Sequence, residues 1–342
     1  MHSITDLVEL VKMREIEKLF YRIYSVRVCT GNLILPEKIR EWAEKRFGNC
    51  ERQKIVRITN RLSGESTLFN ELRAKRPLDA KSEVNLEVED CAFCDPVNRT
   101  PSDVFGRVEG KHCITASNIA KYDCMHAVIV FKEHNPLVSR KDVVEDIFQV
   151  AEEWFRKAHS YDDRYRYPFF MWNCLWRAGA SIIHGHSQAL ISEEPYTKPG
   201  QLFRLRKEYS SSFGSEYLED LFSIHEKLGL GFESGGVRVM AYLTPVKEKE
   251  VVMVSDELVK MAAPLAGVLK CYYSLGVMSF NVAAYMPAIG EKDLIFLRVV
   301  DRGNMGTKTA DIGGMELYAG VSVVSSDPFV LAKELKKHAV DW

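Results

Sequence analysis

Apolar and polar positions change rhythm several times along the chain. The first 48 or so residues, opening MHSITDLVELVKMREIEKLF, carry apolar side chains at helical spacing, in two segments parted near Gly31 and Pro36. This predicts an N-terminal helical extension over residues 1–50. From residue 54 the period shortens. KIVRITNRLSGESTLFN reads as short strands turning at Ser63-Gly64. An acidic linker runs up to Asp90, and CAFCDP follows as a tight turn. AVIVF, at 127–131, is a continuous apolar run and predicts a buried strand. Residues 139–159 have the period of a helix. FFMWNCLW and SIIHGHSQALIS, the latter at 181–192, predict two strands joined by a turn at Arg177-Ala178-Gly179.

The second half echoes the first. RVMAYLTPV and EVVMVSDEL resemble the strands around CMHAVIVFKEH, and a helix at about 256–275 matches the one at 139–159. MSFNVAAYMPA matches FFMWNCLWRAG, and DLIFLRVV stands where the histidine-bearing strand would be. The echo predicts a duplicated unit, with residues 51–195 as one half and 196–342 as a second half without the histidines. The fold class that follows is α+β: antiparallel sheets with helices packed on one side. The pair Gly235-Gly236 is too short for a phosphate loop and predicts a hairpin turn.

Composition narrows the function. The 342 residues are 46% hydrophobic and 27% charged, with a net charge of −1. That suits a soluble globular protein and provides no global positive field for nucleic acid or an anionic membrane. The weakly polar region at 261–290 is broken by Pro264, Lys270, Asn281 and Pro287, so it does not read as a membrane span. The charged opening does not read as a secretory signal. Of eight cysteines only Cys91 and Cys94 are closely spaced, which is no secreted disulfide framework; a reducing cytoplasm is the expected compartment.

Two motifs carry candidate chemistry. In a strand, His184, His186 and Gln188 share one face and form a row of polar groups on a rigid support. Taken alone, such an HxH is more often an exposed or hydrogen-bonded pair than a site. Cys91-Ala-Phe-Cys94 has the gap that lets two thiolates reach one zinc ion. A redox pair would open a helix after a strand, and DPVNRTP argues against that. The remaining ligands must come from elsewhere. His134 and His184 are candidates, with His112 and Cys113 competing for the third place. His126 reads as a strand residue near the site or a core histidine.

Together these pieces resemble the galactose-1-phosphate uridylyltransferase branch of the histidine triad superfamily, which includes nucleotide-sugar and dinucleoside tetraphosphate phosphorylases. The resemblance covers about residues 70–325. Its strongest element is N-x10-H-x-H-x-Q, here Asn173, His184, His186 and Gln188, with Ser181 three before the first histidine. RAKRP at 73–77 matches a phosphate-contacting segment, TASN a nucleotide-contacting asparagine, and GGMEL a sugar-binding GYEML. The resemblance implies a structural Zn2+ on Cys91, Cys94, His134 and His184. It implies His186 as nucleophile, and Arg73, Arg76, Asn118, Asn173, Ser181 and Glu316 as substrate contacts. It also implies a homodimer with active sites near the subunit interface.

The implied activity is nucleotidyl transfer from a nucleotide sugar or dinucleoside polyphosphate to a phosphate-bearing acceptor, through a nucleotidyl-histidine. Gln188 sharpens this. Histidine triad hydrolases have a third histidine there; an amide can donate hydrogen bonds but cannot serve as acid or base. It points to transfer onto an already ionised phosphate rather than hydrolysis. A hydrolase of nucleotide conjugates, or a zinc-stabilised nucleotide sensor without catalysis, are the alternatives. Four departures are visible, the first being that the helical first 50 residues have no counterpart in the family. HGH replaces the usual HPH, Ile119 stands where an acidic residue is common, and the second HxH, which holds iron in the transferases, is missing from DLIFLRVV.

Overall fold

The computed structural model describes residues 2–70, 72–73, 85–86, 88–307 and 310–339. Two short helices, α1 (Leu7–Met13) and α2 (Glu17–Ile23), open the chain. Strand β1 (Tyr24–Asn32), helix α3 (Glu37–Phe47) and strands β2 (Arg52–Asn60) and β3 (Ser66–Phe69) follow. The short helix α4 (Pro96–Arg99) precedes β4 (Cys113–Ser117), β5 (Met125–Phe131), α5 (Lys141–Tyr161), β6 (Tyr167–Cys174) and β7 (His186–Ser192). Helices α6 (Thr197–Phe213) and α7 (Tyr217–Lys227) lead to β8 (Gly231–Ser234), β9 (Val237–Ala241), β10 (Glu248–Ser255), α8 (Ala262–Ser274), β11 (Phe280–Tyr285) and β12 (Ile295–Asp301). The chain ends with α9 (Gly314–Leu317), β13 (Val321–Val324) and α10 (Pro328–His338).

Strands β4 to β12 form one nine-stranded sheet in the order β4-β5-β7-β6-β11-β12-β10-β9-β8. Each side runs strand–strand–helix–strand–strand: β4-β5-α5-β6-β7, then β9-β10-α8-β11-β12. The two sets meet where β6 pairs antiparallel with β11. The predicted echo is therefore visible as mirrored strand order about that pair. Gly235 and Gly236 make the two-residue β8–β9 turn, both at positive φ (57° and 78°), which glycine adopts without steric cost.

The extension is not helical throughout. Tyr24–Asn32 is a strand that pairs along its length with β2. Its SVRVCT run is rich in β-branched residues, which suit a pleated surface better than a helix. β1, β2 and β3 form a second sheet, completed by β13, which returns to pair parallel with β3. Residues 181–185 also differ from expectation: the strand begins only at His186.

Alternation sorts the large sheet into two faces. Ala127, Ile129 and Phe131 of β5, Ala189 and Ile191 of β7, and Phe170 and Trp172 of β6 enter the main core. Nine buried residues of α5, from Val143 to Ala158, join that core. On the other face Ile114, Ala116, Val128 and Val130 form a separate small cluster under Phe93. His186, Gln188 and Asn173 alternate onto this second face, which we call the histidine face. Among the described residues no helix is long and apolar enough to cross a membrane.

Candidate active site on the histidine face

The register of the sheet lays the candidate residues out in rows. Val128 of β5 is opposite Gln188, which is opposite Met171 of β6. Val130 is opposite His186, and Asn173 is opposite Asn281 of β11. His186 and Gln188, two residues apart on one strand, stand about 7 Å apart along it.

His186 is buried, and its Nδ1 lies 2.8 Å from the carbonyl oxygen of His184. A carbonyl only accepts, so Nδ1 carries the proton and Nε2 keeps its lone pair. Burial lowers the His186 pKa, against the opposing effect of that hydrogen bond, and keeps the ring neutral. The Phe93 ring stands edge-on to it, with centroids 5.4 Å apart.

His184 is arranged the opposite way. Its Nε2 donates to the Phe131 carbonyl at 2.7 Å, which leaves Nδ1 unprotonated. That nitrogen lies 3.4 Å from Cys91 Sγ, 3.6 Å from Cys94 Sγ and 3.1 Å from His134 Nδ1. All four ligand atoms lie within 4.8 Å of one another. Four donors around zinc, at about 2.0–2.1 Å for nitrogen and about 2.3 Å for sulfur, stand roughly 3.3–3.8 Å apart in a tetrahedron. The cluster fits such an ion, with two thiols, two imidazoles and a ring N–H anchored to a carbonyl as zinc-bound histidines require. The competitors lie elsewhere in contact terms: His112 Nε2 is 3.2 Å from Asp142, and Cys113 Sγ bonds Asp146.

The remaining candidates divide. Asn173 Oδ1 accepts from Asn281 Nδ2 at 2.7 Å, and Asn281 Oδ1 accepts from Arg302. Asn118, just past β4, is half-buried and lies 3.3 Å from His126 Nε2; that nitrogen is 2.8 Å from Gln188 Oε1. Ser181 is exposed on the loop before β7. Glu316 Oε2 accepts from the Gly313 N–H, and Oε1 is 3.7 Å from Lys247 Nζ. Burial alone would raise the Glu316 pKa; the backbone N–H groups and Lys247 outweigh it and hold it below the usual range. Arg73 is half-buried beyond β3. Arg76 and the rest of RAKRP lie outside the described residues.

A cavity of about 480 Å³ opens over Asn281, lined by Lys198, Lys247, Arg302, Glu316 and Ser322 among others. Sequence reading missed Asn281, Arg302 and Phe93. Asn281 had a signal: the strand carrying it echoes the strand carrying Asn173, and the two asparagines face each other across the junction of the halves.

No protein-family model matches the chain. A solved ADP-glucose phosphorylase from Arabidopsis thaliana with bound ADP-glucose superposes with a TM-score of 0.62, over 81% of this chain and 96% of that one, at 17% identity. The chain shares the fold of that phosphorylase. A uridylyltransferase superposes at 0.58 over 84% of this chain and 98% of its own, with 16% identity. A GalT-like protein of Arabidopsis thaliana does so at 0.57 over 73% and 93%, with 18% identity. In sequence, an uncharacterized protein of Archaeoglobus fulgidus is 24% identical over 281 residues, which is 76% of this chain and 84% of that protein.

Proposed function

We propose that the chain is a nucleotidyltransferase. It moves a nucleoside monophosphate from a nucleotide sugar or dinucleoside polyphosphate to a hexose 1-phosphate or inorganic phosphate, through a nucleotidyl-His186 intermediate. The observation that carries this is the His186 Nδ1–H bond to the His184 carbonyl, 2.8 Å long, which fixes the tautomer with a free Nε2. In the first step Nε2 attacks the α-phosphorus. The N–P bond forms, and the P–O bond to the departing phosphate group breaks, its electron pair leaving on that oxygen. The leaving group departs as an anion and needs no general acid. An acceptor phosphate oxygen then attacks the same phosphorus, and the N–P electron pair returns to His186. Gln188 would donate hydrogen bonds to the phosphoryl oxygens as charge builds on them.

The surroundings of His186 suit a donor with two unlike ends. The apolar cluster of Ile114, Ala116, Val128 and Val130 under Phe93 offers a surface for a base. The cavity with Lys198, Lys247, Arg302 and Glu316 offers cations for a phosphate and a carboxylate for sugar hydroxyls. Asn173 and Ser181 would contact the phosphates, as would Arg73 and Arg76; Asn118 would serve the nucleotide. A Zn2+ on Cys91, Cys94, His134 and His184 would be structural, because four protein ligands leave no open position. The implied homodimer belongs to the same reading: Leu317 and Tyr318, beside Glu316, are exposed apolar side chains that a second subunit would cover. The neighbours in fold include an ADP-glucose phosphorylase and a uridylyltransferase, which supports transfer of this kind.

The test is intact mass after incubation with UDP-glucose, GDP-, ADP- or TDP-sugars, or diadenosine tetraphosphate, each without acceptor and under mildly alkaline conditions. One donor should add a nucleoside monophosphate to the wild type and nothing to His186→Ala, and the added mass names the base. Binding without an adduct for every donor would refute transfer and favour the sensor. Release of the nucleotide by water alone would favour the hydrolase.

A further inference from the structure

His126 lies in β5 on the histidine face, because Ala127 and Ile129 take the core side. It pairs with Leu190, while Val128 pairs with Gln188, so His126 and Gln188 are diagonal neighbours within side-chain reach. The ring is fully buried, and Tyr122 covers it with centroids 4.7 Å apart.

Its hydrogen bonds decide its protonation. The backbone N–H of Tyr122 points at Nδ1 from 3.0 Å. A backbone amide can only donate, so Nδ1 accepts and the proton of the neutral ring sits on Nε2. Burial keeps the ring neutral, and Lys121 works in the same direction. Nε2–H is 2.8 Å from Gln188 Oε1. Asn118 Nδ2, 3.3 Å from the same nitrogen, does not compete: Asn118 Oδ1 is held by the Ala120 N–H at 2.9 Å, so the group facing His126 is a second donor. The chain of donors and acceptors therefore runs one way, from Tyr122 N–H to His126 to Gln188.

A carboxamide beside a phosphoryl group has two orientations with opposite effects. Its NH2 attracts the phosphoryl oxygens, and its oxygen repels them. We propose that His126 is a positioning residue: by holding Gln188 Oε1, it commits the Gln188 NH2 to the phosphoryl oxygens during transfer at His186. This rests on the transferase reading for its consequence, though not for its geometry.

Two measurements test it. Nitrogen-15 NMR of histidine-labelled protein, with the His126 signals assigned by their loss in His126→Gln, reads the tautomer without substrate. A proton on Nε2 and a bare Nδ1 are expected; a proton on Nδ1 would overturn the proposal. Single-turnover formation of the nucleotidyl-enzyme reads the consequence. His126→Leu should slow it about 10- to 100-fold, less than the roughly 100- to 1,000-fold that outright loss of an oriented donor costs, because the Gln188 amide remains and only its orientation is lost; donor Kd should be nearly unchanged. His126→Gln, whose own amide N–H can replace Nε2–H, should recover most of that loss. In a Gln188→Leu background His126→Leu should add nothing further, since the two act as one unit. Full rate in folded His126→Leu, or losses that simply multiply, would sink the inference. Absence of any adduct on the wild type would instead refute the transferase reading, and the NMR result would still decide the orientation of Gln188.

Discussion

A proline between the two histidines could not do what Gly185 does. The Gly185 N–H donates to the His134 carbonyl at 3.1 Å, and its carbonyl accepts from the Phe131 N–H at 2.9 Å. Proline has no N–H to donate. A Cβ at this position would stand 2.5 Å from the Phe131 ring and 3.2 Å from the Asn135 carbonyl oxygen. The departure from HPH therefore has a local cause: the residue between the histidines is pressed against the strand end that also carries His134. Gly185→Ala should cost about 1–3 kcal/mol of stability through overpacking, and Gly185→Pro more through the lost hydrogen bond. Urea unfolding of the purified variants measures both; an unchanged midpoint in Gly185→Ala would mean the ring moves aside freely. The histidines themselves were plain in the sequence. Which ring nitrogen carries each proton was not, because that depends on carbonyls of His184 and Phe131 that only folding brings to the rings.

At the scale of elements, the cluster of Cys91, Cys94, His134 and His184 accounts for the late start of β7. Residues 181–185 were expected to continue the strand, but His184 turns its ring to Cys91, Cys94 and His134 while its Nε2 holds the end of β5. A bound ion would tie three segments: the turn before α4, the end of β5 and the entry to β7. Phe93, inside the CxxC turn, is thereby laid against both His184 and His186. Elemental analysis should find one zinc per chain. Cys91→Ser or His134→Ala should lower that content, and removal by a chelator should cost on the order of a few kcal/mol in unfolding free energy. Full stability after complete zinc removal would count against a structural role. The CxxC spacing announced half of this site. The other half, and the dismissal of His112 and Cys113, came from contacts across 40 to 93 residues of sequence. The same limit hid β1: its helix-like flanks set the expected period, and pairing with β2 overrode it.

On the scale of the whole molecule, stability should fall in mild acid. His225 of α7 is fully buried, with Nδ1–H donating to the Leu221 carbonyl at 2.7 Å and Nε2 accepting from the Leu243 N–H at 3.2 Å. Burial lowers its pKa to about 4 from the ordinary 6.5. Between those values the unfolded chain binds a proton that the folded chain refuses. The stability due to neutral His225 is therefore complete above about pH 6.5 and is lost as the pH falls toward 4, by about 3 kcal/mol at the lower end. His126, His184 and His186 are shifted in the same direction by burial. Unfolding free energy measured at pH 7.5 and 4.5 should drop less in His225→Gln than in the wild type. Equal drops would show that His225 is not a source of the dependence.

Amino-acid pattern alone determined the α+β class, the echo of two halves, the shared strand face of His186 and Gln188, and the paired thiols. These are local properties: period, spacing and side-chain type are written in consecutive residues. Tertiary structure decided the rest. The mirrored sheet meets at β6 and β11, which places Asn281 against Asn173. The return of β13 closes the small sheet onto the N-terminal strands. The direction of the hydrogen bonds through Tyr122, His126 and Gln188 emerges only when β5 and β7 lie side by side. Proton position and amide orientation are set by which group faces which, and strand pairing, not sequence order, makes those neighbours.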